Sequence, residues 1–195
     1  MVVMAALFVR RRLKAEMKML AAYFVIALII TAIQYVLALK GINNLWTNTV
    51  FSPIEFITLM YVFHRWNRNS IAGRIMLYSI PVYVGVLVIG LLSLGREIFS
   101  YLDPIAYATF VLASSYTLLT LDRDEVSPVL SLPAFWISSA AAIYFGSTIV
   151  LLSLDTALYR APRDTWFLAW SVQAVMNTLA NLVYAGGFLC LRRRT

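Results

Sequence analysis

Apolar residues form six long runs along the chain, each close to the length of a membrane-spanning helix. The runs cover residues 19–39, 45–63, 75–94, 101–121, 133–153 and 166–190. An α-helix rises about 1.5 Å per residue, so roughly 20 residues cross the ~30 Å hydrocarbon layer of a bilayer. The connections between the runs are too short to hold a soluble domain. The pattern predicts an all-α fold, a polytopic transmembrane helical bundle of about six spans.

The two ends of the chain differ from this bundle. Residues 1–18 carry a short apolar stretch followed by Arg10–Arg12, and we expect a cytoplasmic or interfacial segment there. About nine apolar residues span only some 14 Å as helix. Met1–Val9 is therefore interpreted as a stub on the inner leaflet, with the end of a seventh helix as the alternative. Residues 19–190 are expected to form the six-helix bundle and residues 191–195 a basic cytoplasmic tail.

Composition supports a membrane protein. The chain is 62% hydrophobic and 13% charged, and its mean hydropathy is +0.80. Soluble domains are about half apolar and a quarter charged. The net charge of +7 could indicate nucleic-acid binding, but the basic residues lie at helix ends, where cationic side chains meet anionic lipid headgroups. The expected environment is a lipid bilayer, with no nucleic-acid partner.

The same basic residues predict the orientation. With the N-terminus inside, twelve lysines and arginines fall on the cytoplasmic side and four on the outer side. Cytoplasmic loops of membrane proteins carry the excess of positive charge. We therefore expect both termini to be cytoplasmic.

Polar side chains recur at helical spacing within four of the six runs. Residues three, four, seven or eleven apart share one face of a helix. The second run carries Asn44, Asn48, Ser52 and Glu55 on one stripe, and the sixth carries Trp166, Trp170, Gln173, Asn177, Asn181 and Tyr184. The fourth run carries Asp103, Tyr107, Ser114 and Thr117, and the first carries Thr31 and Gln34. Amides and carboxylates face lipid only at high cost, so these stripes are expected to turn inward.

Glu55 is the most informative of these residues because an ionisable group deep in a membrane is by default a candidate for function. Counted from Asn44, Glu55 lies about 16 Å below the outer surface, and Ser114 and Asn177 lie at similar distances along their own runs. We predict a polar ligand-binding cavity in the outer half of the bundle. Its candidate residues are Glu55, Asn48, Ser52, Gln34, Tyr107, Ser114, Trp170, Gln173, Asn177 and Asn181. The alternative is that these side chains only join helices by hydrogen bonds, worth about 0.6–2 kcal/mol each.

The residues that enzymes commonly use are sparse. His64 is the only histidine and Cys190 the only cysteine. A single histidine is too few for a bis-His haem or an H-E-x-x-H zinc site, a single cysteine is too few for a cysteine metal cluster, and His64 is not expected to form a Ser-His-Asp triad beside a nucleophile elbow. Glu55 is expected to be the only carboxylate within the bundle, so a paired-acid peptidase is not predicted. Asp122, Asp124 and Glu125 are interpreted as part of a solvated loop. No metal site is indicated, the sequence leaves the identity of any cofactor open, and we expect a protein that is not an enzyme.

One resemblance bears on the source of the chain. Gly41–Trp46 running into Ser52–Phe56 resembles a segment of uncharacterised bacterial multispan membrane proteins, and Phe135–Ile137 and the pair Asn177 and Asn181 fit the same group. The resemblance implies the bacterial inner membrane and carries no activity. In that group the N-terminal stub is a fuller helix.

The sequence thus predicts a non-enzymatic integral membrane module that binds a small ligand or a partner protein through the cavity centred on Glu55. Such a module acts as a sensor or as a subunit of a complex, with membrane partner subunits or further copies of itself. The alternative is a small proton- or cation-coupled transporter or channel that uses Glu55.

Overall fold

The structure, a computed structural model, describes residues 1–44, 46–121, 128–160 and 162–193. These residues are almost entirely helical and contain no strand, which confirms the all-α class. The α-helices are α1 (Val2–Phe8), α2 (Ala15–Leu39), α3 (Trp46–Trp66), α4 (Ile71–Leu94), α5 (Ile98–Thr120), α6 (Pro133–Arg160) and α7 (Arg163–Leu189). Each predicted apolar run overlaps one of the long helices α2 to α7. The predicted acidic loop, with Asp122, Asp124 and Glu125, lies outside the described residues.

Three helical stretches in the described part of the chain are long and apolar enough to cross a membrane. They are Ala15–Leu39, Ile71–Thr120 and Pro133–Leu154. The second comprises α4 and α5, which meet at the 3-10 turn Gly95–Glu97, where Gly95 has a φ of 60°. These stretches identify an all-α membrane protein. The helices α3 and α7, which carry the longest polar stripes, are not among them.

The helices belong to two compact units, each described by itself. The first unit comprises residues 10–103, that is α2, α3, α4 and the start of α5. The second unit comprises residues 1–9 and the described residues from 104 onward, that is α1, the rest of α5, α6 and α7. In the first unit α3 packs against both α2 and α4. In the second, α7 packs against both α6 and α1.

A tight turn joins α3 to α4 in the first unit. Ser70 is the N-cap of α4, and its Oγ accepts a hydrogen bond from the Gly73 N–H at 2.9 Å and donates one to the Asn67 carbonyl at 2.8 Å. Side-chain oxygens at this position satisfy backbone donors that a helix leaves free. Gly73 sits directly against the Asn67 carbonyl, and a Cβ would overlap it. His64 Nδ1 lies 2.8 Å from the Gly73 carbonyl oxygen, which ties the end of α3 to α4.

Close approach of α6 and α7 organises the second unit. A Cβ on Gly187 would lie 2.7 Å from Ile137 Cδ1, and one on Gly186 would lie 3.0 Å from the Trp136 ring. The missing side chains therefore let the end of α7 pack directly on the start of α6. Against α7 also lies α1, whose Val2, Ala5 and Ala6 are buried, as is Val9 directly after it.

Candidate functional site

Glu55 lies in the middle of α3, nine residues after Trp46 and eleven before Trp66. Its side chain is only 6% exposed. The Tyr23 hydroxyl, from α2, donates a hydrogen bond of 2.5 Å to Glu55 Oε1. Tyr23 is itself buried. Within the described residues no other hydrogen bond reaches Glu55, so one hydroxyl group is its only such partner.

The antiparallel course of α2 and α3 brings these residues together. Near the turn, Gln34 Nε2 donates hydrogen bonds of 2.7 Å to Thr47 Oγ1 and to Asn48 Oδ1. Tyr23 precedes Gln34 by eleven residues, about three helical turns, and so lies on the same face of α2. With increasing distance from the α2–α3 turn, α2 therefore presents Gln34 and then Tyr23, while α3 presents Asn48 and then Glu55. The predicted residues Gln34 and Asn48 are hydrogen-bonded to each other, and Asn48 lies about two helical turns from Glu55.

A second carboxyl group lies next to this pair. The Ser52 hydroxyl donates a hydrogen bond of 3.1 Å to Asp103 Oδ1. Ser52 precedes Glu55 by three residues and so shares its face of α3, and Asp103 lies within range of electrostatic repulsion from Glu55. The expectation that Glu55 is the only carboxylate within the bundle is therefore wrong.

The error has a geometric cause. Counting depth from the first polar residue of each run put Asp103 at the outer surface, well above Ser52. The first polar residue of a run is not the first residue of its helix. Ser52 lies six residues after Trp46, the start of α3, and Asp103 lies five residues after Ile98, the start of α5. At about 1.5 Å per residue these are similar depths, roughly 9 Å and 8 Å. The Ser52 and Asp103 side chains can therefore meet, because each lies at a similar distance from the beginning of its own helix.

Tyr83 of α4 completes the group. Its ring stacks on Phe56, with centroids 4.0 Å apart and planes 8° apart. Its side chain is 6% exposed, and within the described ranges its hydroxyl has no hydrogen-bond partner. That hydroxyl is within electrostatic range of both Glu55 and Asp103. We call Tyr23, Ser52, Glu55, Tyr83 and Asp103 the acid–hydroxyl cluster; all five belong to the first unit.

Oxygen atoms supply all the polar chemistry of this cluster. Among the described residues no lysine, arginine or histidine forms an ion pair with Glu55 or Asp103. Nor do the described residues contain a group of three or more His, Cys, Asp and Glu side chains placed to hold a metal ion. The two carboxyl groups accept hydrogen bonds from different hydroxyls, Glu55 from Tyr23 and Asp103 from Ser52.

The other six predicted residues belong to the second unit: Tyr107, Ser114, Trp170, Gln173, Asn177 and Asn181. Gln173 Nε2 donates a hydrogen bond of 2.7 Å to Thr148 Oγ1 and joins α7 to α6. Asn181 Nδ2 donates to the carbonyl and to the side-chain oxygen of Asn177, both at 2.9 Å, within one turn of α7. Asn177 is exposed. These amides are engaged with neighbouring side chains or with their own helix.

The remaining three residues are held mainly by aromatic or local contacts. Tyr107 lies 5.3 Å, between centroids, from Phe145. Ser114 is fully buried and donates to the Val111 carbonyl at 3.0 Å. Trp170 is exposed, and its ring lies 5.7 Å from that of Trp166. Within the second unit the structure therefore gives each of these residues a neighbour of its own.

The candidate list from the sequence omits three members of the cluster, Tyr23, Tyr83 and Asp103, although Asp103 is placed on the polar stripe of the fourth run. The sequence could have indicated Tyr23, because it lies eleven residues before Gln34 and so on the same face of the helix. Nothing in the sequence indicates Tyr83, because α4 carries no polar stripe and the run around Pro81 is otherwise apolar. Only the packing of α4 on α3 brings the Tyr83 hydroxyl to the carboxyl groups.

No protein-family model, curated protein or solved structure matches this chain. The chemistry of the cluster therefore rests on its own atoms. Two carboxyl groups and three hydroxyls can accept and donate hydrogen bonds, hold a proton or coordinate a cation.

Proposed function

We propose that this protein is a non-enzymatic integral membrane module that binds a small ligand at the acid–hydroxyl cluster, as a sensor or as a subunit of a larger complex. The observation that carries the proposal is the burial of Glu55 at mid-helix beside Asp103, with no basic side chain of the described residues paired to either. Removing a carboxylate from water costs several kcal/mol unless a partner compensates it. A hydroxyl bond from Tyr23 and one from Ser52 compensate only part of that cost. Burial of two carboxyl groups with only partial compensation supports a role in binding.

The membrane setting of the proposal is the bacterial inner membrane, with six spans and both termini in the cytoplasm. Each of α2 to α7 has at least 21 residues, about 32 Å or more of helix, which suffices to cross the hydrocarbon layer. The distribution of basic residues supports the orientation. The resemblance of Gly41–Phe56 to bacterial multispan proteins supports the source.

Native mass spectrometry of the protein purified in mild detergent from its own source membrane tests the proposal. We expect an added small-molecule mass that Glu55→Gln removes and that Glu97→Gln retains. Glu97 is the matched control because it is an exposed carboxylate at the α4–α5 turn. The melting temperature of Glu55→Gln is expected to stay within a few degrees of the parent protein. Loss of folding together with loss of binding would instead assign Glu55 a structural role.

A stoichiometric partner chain in the same spectra would favour the complex-subunit form of the proposal. In that case Glu55→Gln should release the partner while the protein stays folded. Retention of both the partner and the added mass by Glu55→Gln would contradict the role of the cluster.

A small proton- or cation-coupled transporter is the second candidate. The specific observation in its favour is the second carboxyl group, since two acids in one buried cluster can exchange a proton for another cation. Flux into liposomes that depends on a pH gradient and disappears in Glu55→Gln would support it. Flux that is the same in Glu55→Gln and in Glu97→Gln would contradict it.

A further inference from the structure

We propose that the ligand of the acid–hydroxyl cluster is a small alkali-metal cation such as Na⁺, held by the carboxyl oxygens of Glu55 and Asp103 and by the Tyr83 hydroxyl. This inference rests on the proposed function and names the ligand class of the same site. It is distinct from the transport proposal, since a cation can bind without being carried across the membrane.

The donor atoms set the chemical class. Every polar side-chain atom of the cluster is an oxygen, from two carboxyl groups and three hydroxyls. Hard oxygen donors favour hard cations, whereas the soft transition metals prefer thiolate or imidazole ligands. The only histidine, His64, is engaged at the α3–α4 turn, and the only cysteine, Cys190, belongs to the second unit.

The charge of the cluster selects a cation over an anion or a neutral ligand. Glu55 and Asp103 are within electrostatic range of each other, and no basic side chain among the described residues pairs with either. An anion would be repelled, and a neutral molecule would leave buried charge uncompensated. A bound cation compensates the charge directly.

Tyr83 provides an observation that is independent of the acids. Its hydroxyl is buried and has no hydrogen-bond partner among the residues that the structure describes, and the 4.0 Å stack on Phe56 fixes the ring. Leaving a buried hydroxyl unpaired is costly, so native proteins rarely do so. Because this hydroxyl lies within electrostatic range of both carboxyl groups, its free oxygen lone pairs are available to a cation bound there.

The ligand set and charge of the site favour a monovalent ion. Ca²⁺ takes six to eight oxygen ligands, commonly with several carboxylates, and Mg²⁺ retains much of its water. The described residues hold no group of three or more acidic, histidine or cysteine side chains. Tyr23 and Ser52 already donate their protons to the two carboxyl groups. Two carboxyl groups buried close to each other do not readily both ionise, so we expect the cluster to carry a single negative charge, which an ion of single charge neutralises.

Thermal unfolding in mild detergent tests the inference, with NaCl replaced stepwise by N-methyl-D-glucamine chloride at constant ionic strength. We expect a saturable rise in Tm of about 5 °C or more with Na⁺ or K⁺ for the parent protein, because a ligand that binds only the folded state stabilises it. Glu97→Gln should keep the full shift. Glu55→Gln should abolish it. Tyr83→Phe, which keeps the ring stack and removes only the hydroxyl, should reduce it at least twofold without lowering Tm in the absence of alkali ions.

Tyr83→Phe and Asp103→Asn keep the test decisive if Glu55→Gln fails to fold. Equal Tm in Na⁺, K⁺ and N-methyl-D-glucamine would overturn the inference. So would a rise caused only by Ca²⁺ or Mg²⁺, or a full alkali shift in both Tyr83→Phe and Asp103→Asn. An added organic mass that depends on Glu55, found together with no alkali response, would overturn this inference and leave the proposed function standing. No Glu55-dependent ligand of any kind would overturn both.

Discussion

The Tyr23 hydroxyl donates a 2.5 Å hydrogen bond to Glu55 Oε1 across 32 positions of sequence, from the middle of α2 to the middle of α3. Both side chains are buried. This bond fixes the position of the carboxyl group within the first unit and leaves one of its oxygens without a hydrogen bond among the described residues. The bond offsets part of the cost of burying the acid and leaves its other oxygen open to the ligand that we propose.

Tyr23→Phe should destabilise the protein. The substitution keeps the ring contacts with Phe51 and Phe24 and removes the only hydrogen bond that Glu55 receives in the described part of the chain. Losing a bond to a buried carboxyl group costs about 1–3 kcal/mol, which thermal unfolding would register as a lower Tm. Tyr35→Phe is the control, because Tyr35 is an exposed tyrosine on the same helix, and it should leave Tm unchanged.

The Ser52–Asp103 bond should be measurable as a coupling energy. In a double-mutant cycle of Ser52→Ala and Asp103→Asn, we expect a coupling of about 0.5–1.5 kcal/mol, the usual range for a single intramolecular hydrogen bond. The measurement is the free energy of unfolding of the parent, both single variants and the double variant. Strict additivity would show that the two side chains do not interact in the folded protein.

Gly73→Ala should be strongly destabilising. Its Cβ would overlap the Asn67 carbonyl in the α3–α4 turn, so the backbone would have to move and the Ser70 cap, worth about 1 kcal/mol, would be disturbed. Gly85→Ala on the same helix is the control. A Cβ there meets nothing within 4 Å, and alanine favours a helix by up to about 1 kcal/mol over glycine. Unfolding measurements should therefore place the two variants on opposite sides of the parent protein or at least several degrees apart.

The proposed orientation predicts which turns react with an impermeant thiol reagent. In a Cys190→Ser background, Asn69→Cys lies in the α3–α4 turn and Glu97→Cys in the α4–α5 turn, both at exposed positions. In intact cells, a membrane-impermeant maleimide should label Glu97→Cys at once and Asn69→Cys only after the membrane is permeabilised. The reverse pattern would invert the topology, and labelling of both would show that α4 does not span the membrane.

The amino-acid sequence by itself determined the all-α class and the approximate positions of the six long helices. This was possible because a run of about 20 apolar residues satisfies its backbone hydrogen bonds in lipid only as a helix, and that requirement is local. Periodicity also placed Ser52 and Glu55 on one face of α3, since helical geometry relates neighbours three residues apart.

Only the tertiary structure decided which faces meet. Periodicity orients a side chain around its own helix but says nothing about the rotation, level or identity of the neighbouring helix. For that reason the sequence predicted Glu55 without Tyr23, placed Asp103 several turns too far from it, and gave no indication of the Tyr83 hydroxyl. The acid–hydroxyl cluster arises from the packing of α2, α4 and the first turns of α5 on α3. Such contacts between residues far apart in the chain are set by side-chain packing over the whole unit, which no local pattern encodes.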